Sequence, residues 1–536
     1  MSSAPTTFFQ TDPDDIFGLD IDRFPHPFTE VGEDHYDFYG DVTDECDSAR
    51  TLVELRMCAL SAAIREKPEW HVKFRDEKIR STCQAEEVRK LRCPELVALT
   101  GSQINHVMTE LEAYVALRDE NTGIEPGPYE RTWKSDTLIP ATVKCELLAA
   151  VAPLESVPDS EKDWHPNSDG KVLDLVHPSL YPVVYGRTES TSGEILEPRE
   201  DGLIDPQFTS ERFQWLPSDF RVAEDGSVSL ASPYINNVHP KDQAELEKVI
   251  PKLLERVVPM FEWVLSDLRF KHQDKKPKTW PESKPSYDGG LDGVKKTVDF
   301  RGKTMQVIVK LSNIVLTPEK PEYGGGTWHV DAYSLYVGMN NEAIVATFIY
   351  YYDCDNITES TLSFRNAIHS LRYHRQDDKY CMYYLYGLNR GDRCVQDVGK
   401  ITTKQDRCLA FPNIYQHLVS PFRLADPTRS GRRKILAFFL VDPHVRIPSA
   451  STVGPQQAAW MQRAVAGTQL WGWLPTELRD IVWAHAGRMT EEEAKEYRQE
   501  LMKERTAFVK IVDGERFGTE FNMWYVLCRV LRTAFA

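Results

Sequence analysis

The sequence predicts an α+β protein in which an antiparallel β-sandwich or jelly roll is enclosed by helical flanks. From about residue 295 to residue 445 the chain repeats short runs rich in Val, Ile, Tyr and Phe, separated by polar turns, which is typical of antiparallel sheets. Before residue 120 and again near residue 250, apolar residues recur at helical spacing. A length of 536 residues, with 41% hydrophobic and 27% charged residues, is that of a folded globular protein with a large core.

Four regions follow from these patterns. Residues 1–120 are predicted to form an irregular arm, rich in Asp, Pro, Phe and Tyr, and then a helical region. Residues 121–290 form a mixed flanking region that ends in a kinked helix and an exposed loop. Residues 291–450 contain the β core, and residues 451–536 form the C-terminal helical region.

Three helix signals support the flanks. An apolar stripe beginning at Leu52 predicts a helix that stops before Pro68. Thr490 followed by Glu493 is a capping box and predicts the start of a C-terminal helix. A longer stripe, expected to be kinked by Pro251 and Pro259, is formed by Leu246, Ile250, Leu253, Val257, Phe261 and Leu265.

Charge and targeting signals limit the classes of function. The net charge is -17 and no long Lys/Arg run occurs, so nucleic-acid backbones and anionic membranes would be repelled over most of the surface. The N-terminus has no basic start and no apolar run of signal-peptide type, and no segment approaches the roughly 18 apolar residues of a membrane span. A cytoplasmic protein is expected.

Two sets of residues with possible chemistry are predicted to be structural. The ten cysteines are scattered without a C-x-x-C pair, which favours reduced, mostly buried thiols. His165 and His177 each precede a Pro and have no usual metal-site spacing, so we expect them to be structural.

A His and an Asp two positions apart follow a glycine run in "GGGTWHVD". Residues i and i+2 of a strand face the same way, so His329 and Asp331 can present a nitrogen and an oxygen to one metal ion. In "FPNIYQHLVSPF", His417 follows a later β run and supplies the second imidazole of a non-haem Fe(II) site, which leaves positions for a cosubstrate and O2. Each residue alone is more often a packing or surface residue, so the prediction depends on their combination.

A cation on a later strand completes the pattern. If 2-oxoglutarate binds the iron, its far carboxylate lies in a closed barrel, where a partner must offset its desolvation. The run "SGRRKILAFFLVD" offers Arg432, Arg433 and Lys434, and alternation places Arg433 on one face with Ile435 and Ala437. An Arg fork binds a carboxylate through two charge-assisted hydrogen bonds.

These motifs together resemble the double-stranded β-helix of Fe(II)/2-oxoglutarate oxygenases, and the closing run "HLVSPF…GRRKILAFFLVD" resembles that of the prolyl hydroxylase branch. The resemblance implies a jelly-roll or cupin-like core and catalytic iron held by His329, Asp331 and His417. It selects Arg433, nine positions before Asp442, as the residue that binds the far carboxylate.

The same resemblance places "VATFIYYYD" on a strand that contacts the cosubstrate. It implies that Tyr351 bonds the 2-oxoglutarate carboxylate, with Thr347 on the same face. Ordinary sheet packing is the alternative for both residues.

Nearly the whole chain is similar to a family of large fungal proteins classed as a domain of unknown function, DUF4246. The similarity is carried by "KDWHPNSDGKVLDLVHPSLYPVVYGRT", "GGGTWHVD", "NEAIVATFIYYYD", "NITES", "CLAFPNIYQH" and "PTRSGRRKILAFFLVDP". It implies an oxygenase that closes an aziridine ring on a small amino acid such as valine, with succinate and CO2 as coproducts. Usually in the family the acidic ligand is Glu and a "GM-x-NE" segment follows at once, whereas here "AYSLYV" separates Asp331 from "GMNNE".

The substrate and two further readings stay open at this point. Candidate residues of the substrate pocket are Tyr333, Tyr336, Ile344 and Val345, together with Thr347. Hydroxylation of an amino acid or another small metabolite is the alternative within the oxygenase class, and a non-catalytic β-barrel scaffold is the alternative outside it. The expected partner is a small molecule, and the sequence does not indicate the oligomeric state.

Overall fold

The structure is a computed structural model of the full chain. It describes residues 24, 49–82, 99–198, 209–269, 291–328, 339–368, 379–466, 468–485 and 487–521. The α-helices with both ends in these residues are α1 Leu52–Arg65, α2 Trp70–Lys73, α3 Gly101–Leu117, α4 Ala141–Glu155, α5 Ala244–Arg269, α6 Lys379–Tyr386, α7 Ala458–Ala466, α8 Gln469–Trp473, α9 Thr476–His485 and α10 Glu491–Glu515.

The strands form antiparallel sheets. They are β1 Glu125–Pro126, β2 Trp133–Ser135, β3 Val172–Val176, β4 Val183–Val184, β5 Phe213–Gln214, β6 Ser218–Val222, β7 Val228–Leu230, β8 Thr304–Leu316, β9 Glu322–Tyr323, β10 Ile344–Asp355, β11 Ser360–Ala367, β12 Val395–Thr403, β13 Cys408–Pro412, β14 Gln416–Val419, β15 Phe422–Arg423 and β16 Gly431–Val441. The large sheet has the order β1-β2-β13-β10-β16-β8-β6-β7, with β3 also paired to β8, and the small sheet has the order β12-β11-β14. Two further pairs, β15-β9 and β4-β5, complete the described strands.

The large sheet lies between a helical layer and the small sheet. On one face, Phe348 of β10 packs against Phe261 of α5, with ring centroids 6.4 Å apart. On the other face, Phe411 of β13 packs against Phe364 of the small sheet at 5.1 Å. The face that carries Phe411 is therefore the inner face of the two-sheet core.

The long apolar stripe forms one helix, as predicted. Helix α5 runs continuously through Pro251 and Pro259, and its apolar side chains are buried against α4 and the large sheet. Burial of this face supplies the stabilisation that offsets the backbone hydrogen bonds lost at the two prolines.

The start of α10 agrees with the sequence in one half of the capping box. The Thr490 hydroxyl accepts a hydrogen bond from the Glu493 backbone N–H at 3.2 Å. The reciprocal bond from the Glu493 carboxylate to the backbone is absent from this described terminus, because that carboxylate accepts from Arg187 instead, at 2.8 Å from Nη2. Helix α10 is thus tied to the β3–β4 region as well as capped.

Several strands of the large sheet come from before residue 291. Strands β1, β2, β3, β6 and β7 all lie in the region predicted as a mixed flank, and they extend the sheet at both edges. The β structure therefore draws on more of the chain than the predicted 291–450 core.

Two other expectations concern the described residues. No disulfide joins the cysteines among them, of which Cys381, Cys394 and Cys408 are buried, Cys58 and Cys354 are half-buried and Cys145 is exposed. None of the described helices combines the length and apolar character that a membrane span requires.

Candidate functional site

The inner face of the large sheet is defined by its register. Directly paired residues of neighbouring strands share a face, and Thr347 pairs with both Phe411 and Phe439. The inner-face positions of β10 and β16 are therefore Thr347, Ile349 and Tyr351, opposite Phe439, Ala437 and Ile435. A register shift between Tyr351 and Asp353 brings Cys354, and not Asp353, opposite Arg433 on this face.

Arg433 lies on the inner face and is fully buried. Its guanidinium carbon lies 4.1 Å from the ring centroid of Phe422 and 5.7 Å from that of Tyr351. Among the described residues, none of its three guanidinium nitrogens makes a hydrogen bond of good geometry, and the neighbouring Cys354 thiol offers at most a weak one. A buried guanidinium without a partner is costly, so this position indicates an anion-binding group.

Two neighbours of Arg433 respond to its charge. Burial raises the pKa of the Cys354 thiol, and the positive charge of Arg433 acts in the opposite direction. The pKa of the Tyr323 hydroxyl is likewise raised by burial and lowered in part by Arg433. Both effects indicate that the guanidinium charge acts on groups inside the core.

His417 lies on β14, a strand of the small sheet. The small sheet packs against the inner face of the large sheet, which carries Arg433. His417 is fully buried and pairs with Phe364 of β11. Its ring centroid lies 5.0 Å from that of Phe411 and 6.4 Å from that of Phe364. His417 therefore lies inside the core, near the end of β10 that carries Thr347.

Tyr351 and Thr347 occupy different levels of the interior. On β16, the residue paired with Tyr351 is Ile435, two positions from Arg433. The residue paired with Thr347 is Phe439, six positions from Arg433, which corresponds to about 20 Å along the strand. Tyr351 is thus the nearer of the two to Arg433. Thr347 lies on the same face but much farther along the sheet from Arg433, and its predicted contact with the cosubstrate stays a prediction.

The glycine run brings the chain alongside the strand of His417. Strand β9 pairs with β15, and the Gly326 N–H donates to the Val419 carbonyl at 3.0 Å. Gly325 has a φ of +83°, and a Cβ there would lie 2.8 Å from the Val419 oxygen, so this approach requires glycine. Trp328 follows Gly326 by two positions, and its ring centroid lies 4.7 Å from the guanidinium carbon of Arg365.

Four predicted site residues lie beyond this point. His329, Asp331, Tyr333 and Tyr336 are outside the described residues. The His329, Asp331 and His417 triad therefore stays a prediction, of which the structure places His417.

The two remaining pocket candidates belong to different apolar clusters. Ile344 packs in a cluster with Phe439, Trp215 and residues of α10. Val345 belongs to the larger cluster that includes α5, and a register shift separates Ile344 from Ala346. Ile344 is thus the candidate that lies beneath α10.

His165 and His177 converge on one carboxylate, which the sequence did not predict. Their ligand atoms and an oxygen of Asp174 lie within 4.8 Å of one another, close enough to share a metal ion, and all three residues are buried. His165 Nδ1 is 2.7 Å and His177 Nε2 is 4.0 Å from Asp174 Oδ2. Asp174 lies on β3 and pairs with Ser312 of β8. The cluster is therefore located on β3, next to β8 in the large sheet.

The hydrogen bonding of this cluster favours a network over a metal site. His177 Nδ1 accepts from the Ser179 backbone N–H at 3.1 Å, so the neutral ring carries its proton on Nε2, the atom that a metal would need. Burial, and next the charge of Lys310, hold the pKa of His177 well below its usual range, so the ring is neutral. Arg498 adds positive charge 3.9 Å from Asp174.

The family is settled by the extent of the match to known sequences. The model described as "Protein of unknown function (DUF4246)" matches residues 102–291 and 291–464, and that of its N-terminal domain matches residues 9–86. The chain belongs to the DUF4246 family. No curated protein matches it.

Solved structures similar to this DUF4246 chain are distant. The Fe(II)/(alpha)ketoglutarate-dependent dioxygenase TqaL is 11% identical with a TM-score of 0.21, over 42% of this chain and 66% of its own. IDO from Bacillus thuringiensis is 12% identical with a TM-score of 0.17, over 29% and 54%. The rice dioxygenase for auxin oxidation is 10% identical with a TM-score of 0.23, over 63% and 79%.

Sequence reasoning missed two groups in the DUF4246 chain. The Asp174 network has a sequence signal in "WHPNSDGKVLDLVH", where the Asp lies between the two histidines. Arg365 contacts Gln416 and Asp513, which are 51 and 148 positions away, and no local pattern indicates such partners.

Proposed function

We propose that this chain is an Fe(II)/2-oxoglutarate-dependent oxygenase with a double-stranded β-helix core, and that it acts on a small amino acid. The observation that carries the proposal is Arg433, a fully buried guanidinium that makes no ion pair with a carboxylate of the described chain, on the same interior as His417. A carboxylate ligand would satisfy this group through two charge-assisted hydrogen bonds. A non-catalytic scaffold offers no reason to keep such a cation in its core.

Iron would be held by His417 together with His329 and Asp331. Two imidazoles and one carboxylate are the donor set of non-haem Fe(II) oxygenases, and His417 is buried among Phe364 and Phe411, where bulk water is excluded. When bound, iron with 2-oxoglutarate and O2 supplies the oxidising power to break an unactivated C–H bond, which side chains alone do not have.

Arg433 and Tyr351 would orient the cosubstrate. Arg433 binds the far carboxylate of 2-oxoglutarate, and the Tyr351 hydroxyl donates a hydrogen bond to the same group. The aromatic rings of Phe422 and Tyr351 against the guanidinium keep water away, which strengthens the electrostatic attraction. Both residues act by fixing the distance between the cosubstrate and the metal ligands.

For the substrate, the family resemblance supports closure of an aziridine ring on valine or a similar branched amino acid. Ile344 and Val345 would contact the side chain. In this reaction one atom of O2 ends in succinate, formed with CO2, and the other leaves as water with two hydrogens from the substrate. Hydroxylation would instead leave the second oxygen atom in the product.

A matched pair of arginine variants tests the cosubstrate site. Arg433→Gln should weaken 2-oxoglutarate binding by at least about tenfold, because charge-assisted bonds contribute about 1.5–3 kcal/mol. Arg432→Gln is the control, since Arg432 lies on the exposed face and pairs with Asp353 at 2.7 Å. Anaerobic titration with Fe(II) and 2-oxoglutarate, followed by the visible charge-transfer band, measures both. No band in the folded wild-type chain would exclude the oxygenase proposal.

Succinate release across the twenty amino acids tests the substrate. Ring closure gives a product lighter than the substrate by two hydrogens, and hydroxylation gives one heavier by an oxygen atom, so mass spectrometry distinguishes them. If no amino acid couples to succinate release, the amino-acid assignment is wrong while the oxygenase assignment stands.

A further inference from the structure

We infer that Arg365 is a positioning residue for the proposed iron site, through which metal affinity depends on the C-terminal helix α10. The inference rests on the proposed function, since it concerns the strand that carries His417. Arg365 does not contact a reacting atom in this account, and it acts through the residues that it holds.

Arg365 lies directly behind His417. On β11, Phe364 pairs with His417 and Arg365 pairs with Gln416. Because side chains alternate along a strand, Arg365 and Gln416 project to the side opposite Phe364 and His417. Arg365 Nε donates to Gln416 Oε1 at 2.5 Å, which fixes the residue adjacent to His417 from the outer side of the small sheet.

The same guanidinium holds the chain that leads to the predicted ligand His329. The Trp328 ring lies 4.7 Å from the guanidinium carbon of Arg365, within the range of a cation–π contact. Trp328 is the last described residue before His329. One side chain therefore contacts residues next to two of the three predicted ligands.

The third contact of Arg365 is with α10. Its Nη2 donates to Asp513 Oδ1 at 2.8 Å, and the Phe517 ring lies 6.0 Å from the guanidinium carbon, just beyond the end of the helix. The other carboxylate oxygen of Asp513 accepts from Arg393 at 2.7 Å. Arg365 is mostly buried, with a side chain 15% exposed, whereas that of Arg393 is 51% exposed. Arg393 is thus a matched arginine that binds the same carboxylate from a more exposed position.

These contacts give α10 a role beyond enclosing the sheets. Groups that orient metal ligands from behind commonly change metal affinity 10- to 100-fold when removed. Removal of Arg365 would remove a contact from both Gln416 and Trp328. The predicted ligands His417 and His329, which directly follow these two residues in the sequence, would then lose a shared support.

The test compares metal binding by Arg365→Met, Arg365→Lys and Arg393→Met with that of the full-length wild-type chain. Co(II) is the probe, titrated anaerobically and followed by its visible absorption, and circular dichroism confirms that each variant is folded. We expect Arg365→Met to weaken Co(II) binding about 10- to 100-fold. Arg365→Lys should recover part of this loss, and Arg393→Met should bind as the wild type does. 2-oxoglutarate affinity at saturating Co(II) should stay within about twofold for all three, since Arg433 is intact.

The outcomes separate this inference from the proposed function. Wild-type affinity in folded Arg365→Met would overturn the inference and leave the proposed function standing. Two results would overturn the proposed function and this inference with it. One is that the wild-type chain binds no Co(II), and the other is that the wild type and His417→Ala bind Co(II) with the same affinity. If Arg365→Met does not fold, Asp513→Asn makes the same test, because it removes the charge that holds Arg365: a several-fold loss of Co(II) affinity supports the inference, and wild-type affinity overturns it.

Discussion

At the scale of single residues, buried arginines in this chain differ in whether the protein satisfies them. Arg407 is as buried as Arg433, but its guanidinium bonds Asp136 at 2.7 and 2.9 Å and Glu66 at 2.6 Å. These acids and burial act on the pKa of Arg407 in opposite directions, and the pairing keeps it above its ordinary value. Arg433 has no such partners among the described residues. Arg407 is therefore satisfied by the protein itself, whereas Arg433 is a cost to the ligand-free fold that the proposed anion would offset.

This contrast predicts opposite effects of two similar substitutions. Arg433→Met should raise the free energy of unfolding of the ligand-free chain by about 1–4 kcal/mol, as replacement of buried charge by apolar groups often does. Arg407→Met should lower it by about 1–3 kcal/mol, because Asp136 and Glu66 lose the arginine and keep a lysine each, Lys404 and Lys134. Urea unfolding measures both. Equal destabilisation by the two substitutions would show that Arg433 is a structural residue.

The His177 pKa predicts how stability depends on pH. Its pKa in the folded chain lies well below that of the unfolded chain, so below about pH 6.5 the unfolded state binds the extra proton and stability falls as pH falls. At pH 5.5 the contribution is about 1.4 kcal/mol. His177→Asn, which keeps an acceptor for the Ser179 N–H, should remove this part of the pH dependence. Urea midpoints of both proteins at pH 7.5 and 5.5 make the comparison, and identical pH dependence would contradict it.

At the scale of elements, sequence patterns predicted the features that depend on neighbouring residues, namely helix α5 and the face of β16 that carries Arg433. The apolar stripe from Leu246 to Leu265 identified α5 despite its two prolines, because burial of one face outweighs them. Alternation placed Arg433 on the inner face, since its strand is regular. It could not predict that a register shift brings Cys354 opposite Arg433, or that Asp174 draws two histidines together, because these depend on pairing between distant strands.

Helix α10 is docked by a buried ion pair that the sequence also did not indicate. Arg505 donates to Glu342, whose carboxylate also accepts from the Trp215 N–H at 2.7 Å and the Met339 N–H at 3.2 Å. Both side chains of the pair are fully buried, and burial raises the pKa of Glu342 while Arg505 acts against the rise. The pair therefore joins α10 to the turn that precedes β10.

Removal of both partners of this pair should cost much less than the sum of the two single removals. Arg505→Met leaves a buried carboxylate and should cost about 3–5 kcal/mol at pH 7.5, whereas Arg505→Met with Glu342→Gln should cost clearly less than the sum of the single changes. The loss in Arg505→Met should shrink as pH falls, because the raised folded-state pKa of Glu342 favours proton uptake by the folded chain. Urea unfolding of the four proteins at pH 7.5 and 5.0 tests this, and additive costs would contradict it.

At the scale of the whole molecule, net charge and the interior act on a carboxylate ligand in opposite directions. The chain carries a net charge of -17, so its long-range field repels a dianion such as 2-oxoglutarate. In the proposed complex Arg433 would attract the same ligand at short range inside the core, where salt screens little. Repulsion should therefore lower the association rate of 2-oxoglutarate, and the buried cation should lower its dissociation rate.

This opposition predicts an unusual salt dependence for 2-oxoglutarate binding. Between ionic strengths of about 0.01 and 0.15 M the Debye length falls from about 30 to about 8 Å, so the repulsion is screened and the association rate should rise several-fold. The dissociation rate should change little, because the Arg433 contact is buried. Stopped-flow measurement with the Co(II)-loaded chain gives both rates, and a zwitterionic amino acid serves as the uncharged control. An association rate that falls with salt would mean that a local positive surface around the entrance, and not the net charge, directs the ligand.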